Sequence, residues 1–348
     1  MKAITFQDVE RVTHEEVSDP TIESQHDAIV KVELAGVCGS DLHVYHGREQ
    51  GLDAGTVLGH EFVGEIQAVG RAVRRFEPGD RIVSPFTTSC GACFYCRRGL
   101  TARCSRGQLF GWREDGRGLH GAQAEYVRVP LADSTLVEVP EGLSAEAALL
   151  AGDVLSTGFF AAKSGEIEPG DFVVVLGCGP VGLMAALSSR LLGAERVLAC
   201  DRIPERLALA ADLKAEPLPL DGPSSLEIVT QATEGRGADV VIEAVGSQNA
   251  TRLAVDLVRP GGVVSVVGVH TEPNFTFSPV LAYDKNLTYK IGRCSARYYM
   301  DTTLQLLTRE RPPVTNIISH RLPLSEGSQA YRLFADRAEG CTKAVLVP

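Results

Sequence analysis

The stretch FVVVLGCGPVGLMAALSSRLLGAERVLACD, from Phe172 to Asp201, decides the fold. Its first five residues, Phe172–Leu176, are apolar without polar alternation, which predicts a strand buried on both faces of a parallel sheet. A glycine-rich turn follows, then a predicted helix over Val181–Leu192 and a second apolar strand over Arg196–Cys200. The order of strand, glycine turn, helix, strand and acidic residue predicts a dinucleotide-binding βαβ unit.

The turn has the pattern G-x-G-x-x-G. Gly177 is expected to permit the tight turn, Gly179 to let the backbone approach a pyrophosphate, and Gly182 to pack the helix against its strand. The helix N-terminus offers free N–H groups and partial positive charge to phosphates. Asp201 lies 19 residues after Gly182, where a carboxylate accepts hydrogen bonds from an adenosine ribose. This favours NAD over NADP, with the neighbouring Arg202 keeping NADP as the alternative.

Length and composition place the chain among globular proteins of two domains. It has 348 residues, of which 44% are apolar and 22% charged, enough for a large core. The net charge of -10 argues against a nucleic-acid partner, because phosphate binding needs a basic face. We expect no membrane span, since no apolar run of about 18 residues occurs, and a cytoplasmic location, since no signal-peptide core is seen.

Four cysteines in the first third of the chain carry the most specific metal signal. They have the spacing C-x2-C-x2-C-x7-C, and four thiolates close a tetrahedral shell around one zinc ion without leaving a position for substrate. An odd total of nine cysteines is unlike a secreted disulfide framework. We therefore predict a structural zinc site at Cys90, Cys93, Cys96 and Cys104, and read Cys178, Cys200, Cys294 and Cys341 as packing residues.

A second group of polar residues follows the β-rich opening of the chain. A thiol, a hydroxyl, a carboxylate and an imidazole occur between positions 38 and 43, and a second imidazole and carboxylate follow at 60 and 61. Singly, Cys38 reads as a small core residue, His60 as a buried histidine and Asp41 as a helix cap. Together they supply nitrogen and sulfur ligands that zinc prefers, with carboxylates to hold them. Ser144 is predicted to begin a helix through the alanine-rich run that follows it. Within this helix Asp153 lies among apolar residues and needs a partner, either a cation or, as a helix N-cap, backbone N–H groups.

The α/β alternation continues beyond Asp201. Six predicted strands, the last at Leu287–Ile291, are joined by helices and complete a doubly wound parallel sheet whose ligand lies at the carboxyl ends of the strands. The strand Pro217–Leu220 can only be a short strand or an edge strand, because prolines lack a donor. We predict three segments: a catalytic β-rich domain over 1–150, a nucleotide-binding domain over 151–290, and a return to the first domain over 291–348.

These motifs, in this order, resemble the zinc-containing medium-chain alcohol dehydrogenases over essentially the whole chain. The resemblance implies a GroES-like β-rich catalytic domain and a Rossmann domain with a six-stranded sheet. It implies NAD as cofactor and two zinc ions per subunit, one catalytic and one structural. It also implies that the catalytic zinc is held by Cys38, His60 and Asp153. The motifs are Cys38–His43, Gly59–Glu61, the four-cysteine lobe, Gly177–Gly182 and Asp201.

Asp153 departs from the commonest pattern of that family, in which the third ligand is cysteine or glutamate. It resembles the branch of glutathione-independent formaldehyde dehydrogenases and some bacterial secondary-alcohol dehydrogenases. The Cys38 thiolate and the Asp153 carboxylate together bring two negative charges to Zn²⁺, so an oxygen ligand is tolerated. Glu61 is expected to support this shell, and to enter it only transiently.

The resemblance further implies a reversible oxidation of an alcohol to an aldehyde or ketone. Zinc acts as a Lewis acid on the alcohol oxygen, the proton leaves through Ser40, the cofactor ribose and His43, and hydride passes to NAD. By position in the family, Phe86, Leu109 and Trp112 line the substrate pocket, although Trp112 and the nearby Phe110 also read as packing residues. The cofactor residues are Gly177, Gly179, Pro180, Val181, Gly182, Asp201, Arg202, Arg206, Val245, Val267 and Lys343, of which Arg206 and Lys343 also read as surface charges.

Several alternatives share these motifs. A formaldehyde dehydrogenase or dismutase with bound NAD is one, but such proteins commonly carry an extra cofactor-burying loop for which this chain is too short. Polyol and threonine dehydrogenases use the same scaffold. A zinc-stabilised, NAD-binding regulator without turnover is the non-enzyme alternative, against which the intact polar groups weigh. The expected partners are a small alcohol or aldehyde and further copies of the chain, as a dimer or tetramer joined at the strand near Leu287–Ile291.

Overall fold

The computed structural model describes residues 1–220, 224–272 and 278–348, which form two compact units. Unit 1 comprises Met1–Ser156, Ser295–Arg311 and Thr315–Pro348, and unit 2 comprises Thr157–Cys294 and Pro312–Val314. The main divisions therefore fall a few residues beyond positions 150 and 290, where the sequence predicted them. The assignment of 312–314 to unit 2 had no signal in the sequence.

The elements alternate between strands and helices along most of the chain. The strands are β1 (Lys2–Asp8), β2 (Arg11–Glu16), β3 (Ala28–Val37), β4 (Phe62–Val69), β5 (Arg81–Ser84), β6 (Trp112–Glu114), β7 (Arg117–Leu119), β8 (Tyr126–Val129), β9 (Val137–Glu138), β10 (Phe172–Leu176), β11 (Arg196–Asp201), β12 (Glu216–Pro219), β13 (Ala238–Glu243), β14 (Val258–Val266), β15 (Thr288–Ile291), β16 (His320–Pro323) and β17 (Ala344–Val347). The α-helices are α1 (Asp41–Tyr45), α2 (Phe94–Arg97), α3 (Ala132–Thr135), α4 (Ala145–Gly152), α5 (Val154–Ser164), α6 (Pro180–Leu191), α7 (Pro204–Asp212), α8 (Ser225–Ala232), α9 (Gln248–Leu257), α10 (Pro279–Asp284), α11 (Ala296–Glu310) and α12 (Gly327–Asp336).

Unit 2 contains the predicted six-stranded parallel sheet. Its strand order is β12-β11-β10-β13-β14-β15, which is the doubly wound arrangement and confirms the predicted fold class. All five residues of β10 are buried, as expected of a central strand covered by helices on both faces. The glycine turn follows β10, at the carboxyl edge where such sheets bind their ligands.

The edge strand β12 contains Pro217 and Pro219. The neighbouring Leu220 donates its backbone N–H to Asp201 O at 2.9 Å, so the even-numbered residues face β11. The prolines fall at the alternate positions, which face away from β11, and they cost the sheet no hydrogen bond there. The predicted edge position of this strand is confirmed.

Unit 1 is built on a mainly antiparallel sheet in the order β16-β17-β3-β4-β5-β9, with β8 also paired to β3. The predicted return of the C-terminal segment to this unit is seen in β17, which pairs with β3 through Ala344↔Val37. This pairing brings the end of the chain next to Val37, immediately before Cys38.

The sequence predicted one helix running from Ser144 through Asp153, whereas the structure has two. The Ser144 hydroxyl accepts a hydrogen bond from Ala147 N and starts α4 as expected. Asp153 then leaves the helical conformation, with φ -140° and ψ -77°, and α5 starts at Val154. No helix in the described ranges is by itself long and apolar enough to cross a membrane; only α4 and α5 taken together, across a bend of 46°, meet that test.

Candidate active site

Three parts of unit 1 bring the predicted catalytic-zinc ligands together. Cys38 follows β3, His60 precedes β4, and Asp153 occupies the break between α4 and α5. Because β3 and β4 pair through Ala35↔Phe62, the first two ligands come from the ends of adjacent strands. Asp153 Oδ2 lies 3.5 Å from Cys38 Sγ and 3.4 Å from His60 Nε2. The structure thus collects all three side chains at one point.

The spacing and chemistry of this cluster fit a zinc ion. Ligands of a tetrahedral zinc lie at about 2.0–2.3 Å from the metal and so roughly 3.3–3.8 Å from one another. The measured separations fall in that range, and the sulfur, nitrogen and oxygen donors are those zinc takes. Burial, with the nearby Asp153 carboxylate, raises the pKa of the Cys38 thiol to about 11. A thiolate in this place therefore calls for a cation beside it.

Asp41, in the first turn of α1, supports two of these ligands. Its Oδ1 lies 3.1 Å from His60 Nδ1, and its Oδ2 accepts a hydrogen bond from Cys38 N at 2.9 Å. A proton held on Nδ1 leaves the other ring nitrogen, Nε2, free to bind a metal. The carboxylate therefore fixes the tautomer and the ring plane of His60.

The predicted proton-relay residues lie on the same segment. Ser40 Oγ is 3.3 Å from His60 Nε2, at the metal-facing side of that ring. His43 is on α1, and its Nδ1 is buried without a hydrogen-bond partner among the described residues. Burial lowers the pKa of His43, so its imidazole is neutral near pH 7 and able to accept a proton.

Glu61 and Lys343 form a fully buried ion pair beside the cluster. The Lys343 ammonium contacts both carboxylate oxygens, with Nζ–Oε1 at 2.6 Å, and donates to Val37 O at 3.0 Å. Burial alone would lower the pKa of Lys343, but the charge of Glu61 raises it. The prediction that Lys343 binds the cofactor is therefore corrected: its side chain is 0% exposed and neutralises Glu61 instead.

The predicted substrate-pocket residues separate into two groups. The Phe86 ring contacts His60 edge to face at a centroid distance of 6.4 Å. Leu109 forms an isolated antiparallel β-bridge with Thr87, the residue after Phe86. Trp112 instead packs against the hydrophobic cluster that contains Ile4, Phe6 and Leu58. That contact supports the packing alternative for Trp112. Phe110 packs edge to face on Phe62 in the core.

The four-cysteine lobe has the arrangement that its spacing predicts. The Sγ atoms of Cys90, Cys93, Cys96 and Cys104 all lie within 4.8 Å of one another, and no disulfide joins them. Backbone N–H groups of Cys96 and Ser105 lower the pKa of the Cys93 thiol to about 5. Such N–H donors favour thiolates, the form that binds zinc. The lobe therefore fits an all-thiolate structural zinc.

The glycine turn in unit 2 has the predicted geometry. Gly177 has φ +91°, in the region that favours glycine, and a Cβ at Gly182 would overlap the carbonyl oxygen of Gly177. The Asp201 carboxylate accepts hydrogen bonds from the N–H groups of Cys178 at 2.7 Å and Arg202 at 2.7 Å. Asp201 therefore also fixes the shape of the turn, a role that the sequence analysis did not predict.

The other predicted cofactor residues lie around this turn. Pro180 and Val181 open α6, and the Arg206 guanidinium reaches to 3.8 Å from the position of a Cβ on Gly179. The exposed side chain of Val245 lies against Gly177, where a Cβ would be 2.7 Å from Val245 Cγ2.

Glu243 was missed by the sequence analysis. Its Oε1 accepts hydrogen bonds at 2.8 Å from Val245 N and Gly246 N, and its backbone carbonyl accepts one from Val267 N at 2.9 Å. This one buried residue holds both segments, those of Val245 and Val267, that the sequence predicted at the cofactor. The available signal was an acidic residue ending a buried apolar strand.

We expect Gly179→Ala to weaken NADH binding by about tenfold or more without lowering the melting temperature. The backbone at Gly179, φ -66° and ψ 176°, suits alanine, and a Cβ there meets no atom closer than 3.8 Å. Only an approaching pyrophosphate would be obstructed. Fluorescence titration with NADH measures the effect. Gly182→Ala is the matched control and should lower stability as well, because its Cβ overlaps the backbone.

Comparison with known proteins agrees with the site geometry. Two protein-family models match the chain: the alcohol dehydrogenase GroES-like domain over residues 24–141 and the zinc-binding dehydrogenase over residues 180–309. Zinc-type alcohol dehydrogenase B of Aspergillus flavus is 41% identical over 342 residues, which cover 96% of this chain and 78% of that protein. Alcohol dehydrogenase TADH from Thermus sp. ATN1 has a solved structure with TM-score 0.94 and 44% identity, covering 100% and 99% of the two chains.

A third comparison bears on the cofactor. The dehydrogenase rspB from Escherichia coli CFT073, solved in complex with NADH, is 26% identical with TM-score 0.88, and the match covers 100% of this chain and 99% of that one. A nucleotide-type sheet in one unit and two metal-ligand clusters in the other define a zinc-dependent dehydrogenase. The chain belongs to the zinc-containing medium-chain alcohol dehydrogenase family. It is an oxidoreductase that oxidises alcohols with zinc and NAD.

Proposed function

We propose that the protein interconverts a small primary or secondary alcohol and its aldehyde or ketone, with Cys38, His60 and Asp153 holding the catalytic zinc. The observation that carries this proposal is the separation of 3.4–3.5 Å between their ligand atoms. The aspartate at the third position supports a place in the branch of the family that uses an oxygen ligand there. The four cysteines of the lobe hold a structural zinc in the same unit.

Zinc, when bound, acts as a Lewis acid on the alcohol oxygen and lowers its pKa. The chain's own part is to hold the ligands and remove the proton. Asp41 keeps a proton on Nδ1 of His60 and so directs Nε2 to the site. Ser40 Oγ, 3.3 Å from that nitrogen, would accept the alcohol proton while releasing its own, and the neutral His43 would be the group that finally holds the released proton.

Glu61 supports this site rather than performing the chemistry. Its carboxylate is within ligand distance of the cluster but is committed to Lys343, which cancels its charge. Because the charge of Glu61 is cancelled, the Cys38 thiolate and the Asp153 carboxylate supply the negative charge of the cluster. Their two negative charges balance the two positive charges of Zn²⁺. Entry of Glu61 into the zinc shell requires it to leave the Lys343 ammonium, so we assign it as a transient ligand at most.

The cofactor assignment rests on unit 2. We assign the pyrophosphate to the turn of Gly177, Gly179 and Gly182 and to the start of α6 at Pro180 and Val181. The buried carboxylate of Asp201 supports NAD rather than NADP, since a 2′-phosphate would meet its charge. The remaining residues assigned to the nucleotide are Arg202, Arg206, Val245 and Val267.

The substrate assignment rests on the residues beside His60. Phe86 and Leu109 give the site an apolar wall, which suits the hydrocarbon part of a simple alcohol better than a polyol. Nine free cysteines, five of them placed as ligands in two zinc clusters and the other four buried, support a reducing compartment such as the cytoplasm.

We further propose that the protein is a homo-oligomer joined at β15. This strand is the free edge of the six-stranded sheet opposite β12, and the side chain of Ile291 at its end is 59% exposed. Tyr283 on the preceding helix α10 is 86% exposed. An unpaired strand with apolar neighbours is a suitable surface for a second copy.

A panel of primary, secondary and polyhydroxy alcohols and aldehydes, assayed with NAD and with NADP, tests the proposal. Simple alcohols with NAD should give kcat/KM at least about tenfold above polyols and above NADP, a difference of roughly 1.4 kcal/mol. Preference for a polyol would overturn the substrate assignment. Formation of equal amounts of acid and alcohol from formaldehyde, with NAD retained on the protein, would identify a dismutase instead.

A further inference from the structure

A chain of buried hydrogen bonds extends from the catalytic cluster to the C-terminal helix α12. Tyr331 donates its hydroxyl to Gln123 Oε1 at 3.0 Å, and both side chains are fully buried. Gln123 Nε2 in turn donates to Gly36 O at 3.0 Å and to Asp41 Oδ2 at 3.4 Å. Asp41 is the carboxylate that holds His60. The chain of contacts is therefore Tyr331, Gln123, Asp41, His60.

In each hydrogen bond of this series, the donor and the acceptor are determined by their chemistry. A tyrosine hydroxyl next to an amide oxygen is the donor, and burial raises the pKa of Tyr331 well above its usual range, so the proton stays in place. With its oxygen held by Tyr331, the Gln123 amide presents its NH2 group to two acceptors, Gly36 O and Asp41 Oδ2. A flipped amide would place its oxygen against both of them.

The backbone of Gln123 is also fixed. Its N–H donates to Leu58 O at 2.8 Å, and its carbonyl accepts from Ile4 N at 2.8 Å. The side chain packs on Gly59, the residue before His60, where a Cβ would overlap Gln123 Cγ. Gln123 thus contacts the segment that carries one zinc ligand, and reaches the carboxylate that orients that ligand.

We propose that Gln123 and Tyr331 are positioning residues for the zinc ligand His60, acting through Asp41. The hydrogen bonds of these two side chains lead to the cluster through Asp41. With the Gln123 amide in place, Asp41 Oδ2 is shared between the N–H of Cys38 and this amide, and Oδ1 remains directed at His60 Nδ1. The inference rests on the proposed metal site, and its effect is on how firmly that site holds its ion.

The test follows zinc release from the whole, two-zinc protein to a chromogenic chelator. Gln123→Met keeps the length of the side chain and removes its polar atoms, and should speed release of the ion at Cys38 by about tenfold or more. Tyr331→Phe should give a smaller acceleration, about threefold or more. The ion of the four-cysteine lobe is an internal control and should leave at the wild-type rate. A Cys96→Ala background, which removes the lobe ion, assigns the two phases.

Tyr45→Phe is the matched control. Tyr45 is buried, packs against Tyr331 at a ring centroid distance of 5.5 Å, and also loses one hydroxyl. The Tyr45→Phe variant should release the ion at Cys38 at a rate within about twofold of the wild-type rate. In the cobalt-substituted protein, the visible bands of the ion at Cys38 should shift in Gln123→Met and not in Tyr45→Phe.

Three results would overturn the positioning role. One is unchanged release in both Gln123→Met and Tyr331→Phe. Another is equal acceleration of both ions with a matching fall in melting temperature, which would indicate a general loss of stability. The third is an equal effect of Tyr45→Phe. Loss of the ion at Cys38 from wild-type protein on dilution would instead count against the proposed metal site itself. Failure of the metal site can therefore be distinguished from failure of the positioning role.

Discussion

Replacing Cys38 with alanine is expected to lower kcat/KM for alcohol oxidation by at least about a thousandfold, roughly 4 kcal/mol of transition-state stabilisation. The variant should also bind one zinc ion per chain where the wild type binds two. The reason is that the proposed zinc site takes its sulfur ligand from Cys38, and His60 and Asp153 cannot close the shell alone. Steady-state kinetics and metal analysis measure the two effects.

Cys96→Ala is the matched control, because it also removes one thiol and one zinc ion. It should lose the lobe ion and some thermal stability while retaining most of the turnover, since the lobe leaves no position for substrate. NADH titration should give the wild-type affinity in both variants, because the glycine turn belongs to unit 2. A Cys38→Ala protein with full activity would contradict the catalytic-zinc assignment.

Replacing Lys343 with methionine is expected to destabilise the protein by about 3–5 kcal/mol. The substitution keeps the volume of the side chain but leaves Glu61 without its counter-ion, in a place where both groups are fully buried. The unfolding free energy from urea denaturation measures the loss. Most of it should be recovered in the double variant Glu61→Gln with Lys343→Met, where no buried charge is left.

Two comparisons sharpen this prediction. Arg81→Met breaks an ion pair with Glu33 at 2.8 Å whose side chains are 37% and 47% exposed, and should cost no more than about 1 kcal/mol. NADH affinity in the double variant decides whether Lys343 has any part in cofactor binding. We expect it to be unchanged. A large loss of affinity despite restored stability would reinstate Lys343 as a cofactor residue.

Features encoded in short stretches of sequence could be predicted. The six strands of unit 2 follow from apolar runs and turn residues that are local, and their order follows from the rules for crossover connections. The four-cysteine lobe was equally accessible, because the spacing of its thiols specifies their chemistry. Cys38, His60 and Asp153 required the family resemblance, since each has an ordinary structural alternative when considered alone.

Features that depend on distant pairs could not be predicted. Glu61 and Lys343 are 282 positions apart, and Gln123 and Tyr331 are 208 apart. No local periodicity reports such contacts, so Lys343 was interpreted as a surface charge or as a contact to the ribose or pyrophosphate of the cofactor. The break at Asp153 was not predicted either: the alanine-rich run favours one continuous helix, whereas in the structure α4 ends at Gly152, where a Cβ would overlap Ser84 O.

The prolines of β12 affect how molecules of this protein can add to one another. A strand docking on that side would find no N–H at Pro217 or Pro219, so the sheet is closed to extension there. Within the described six-stranded sheet, the opposite edge at β15 is the one that we propose for a second copy, and a neighbour joined through its own β15 would occupy both free edges. Growth through these edges would then stop at a pair of sheets. The same two residues that interrupt the pattern of a strand protect a six-stranded sheet from open-ended filament formation.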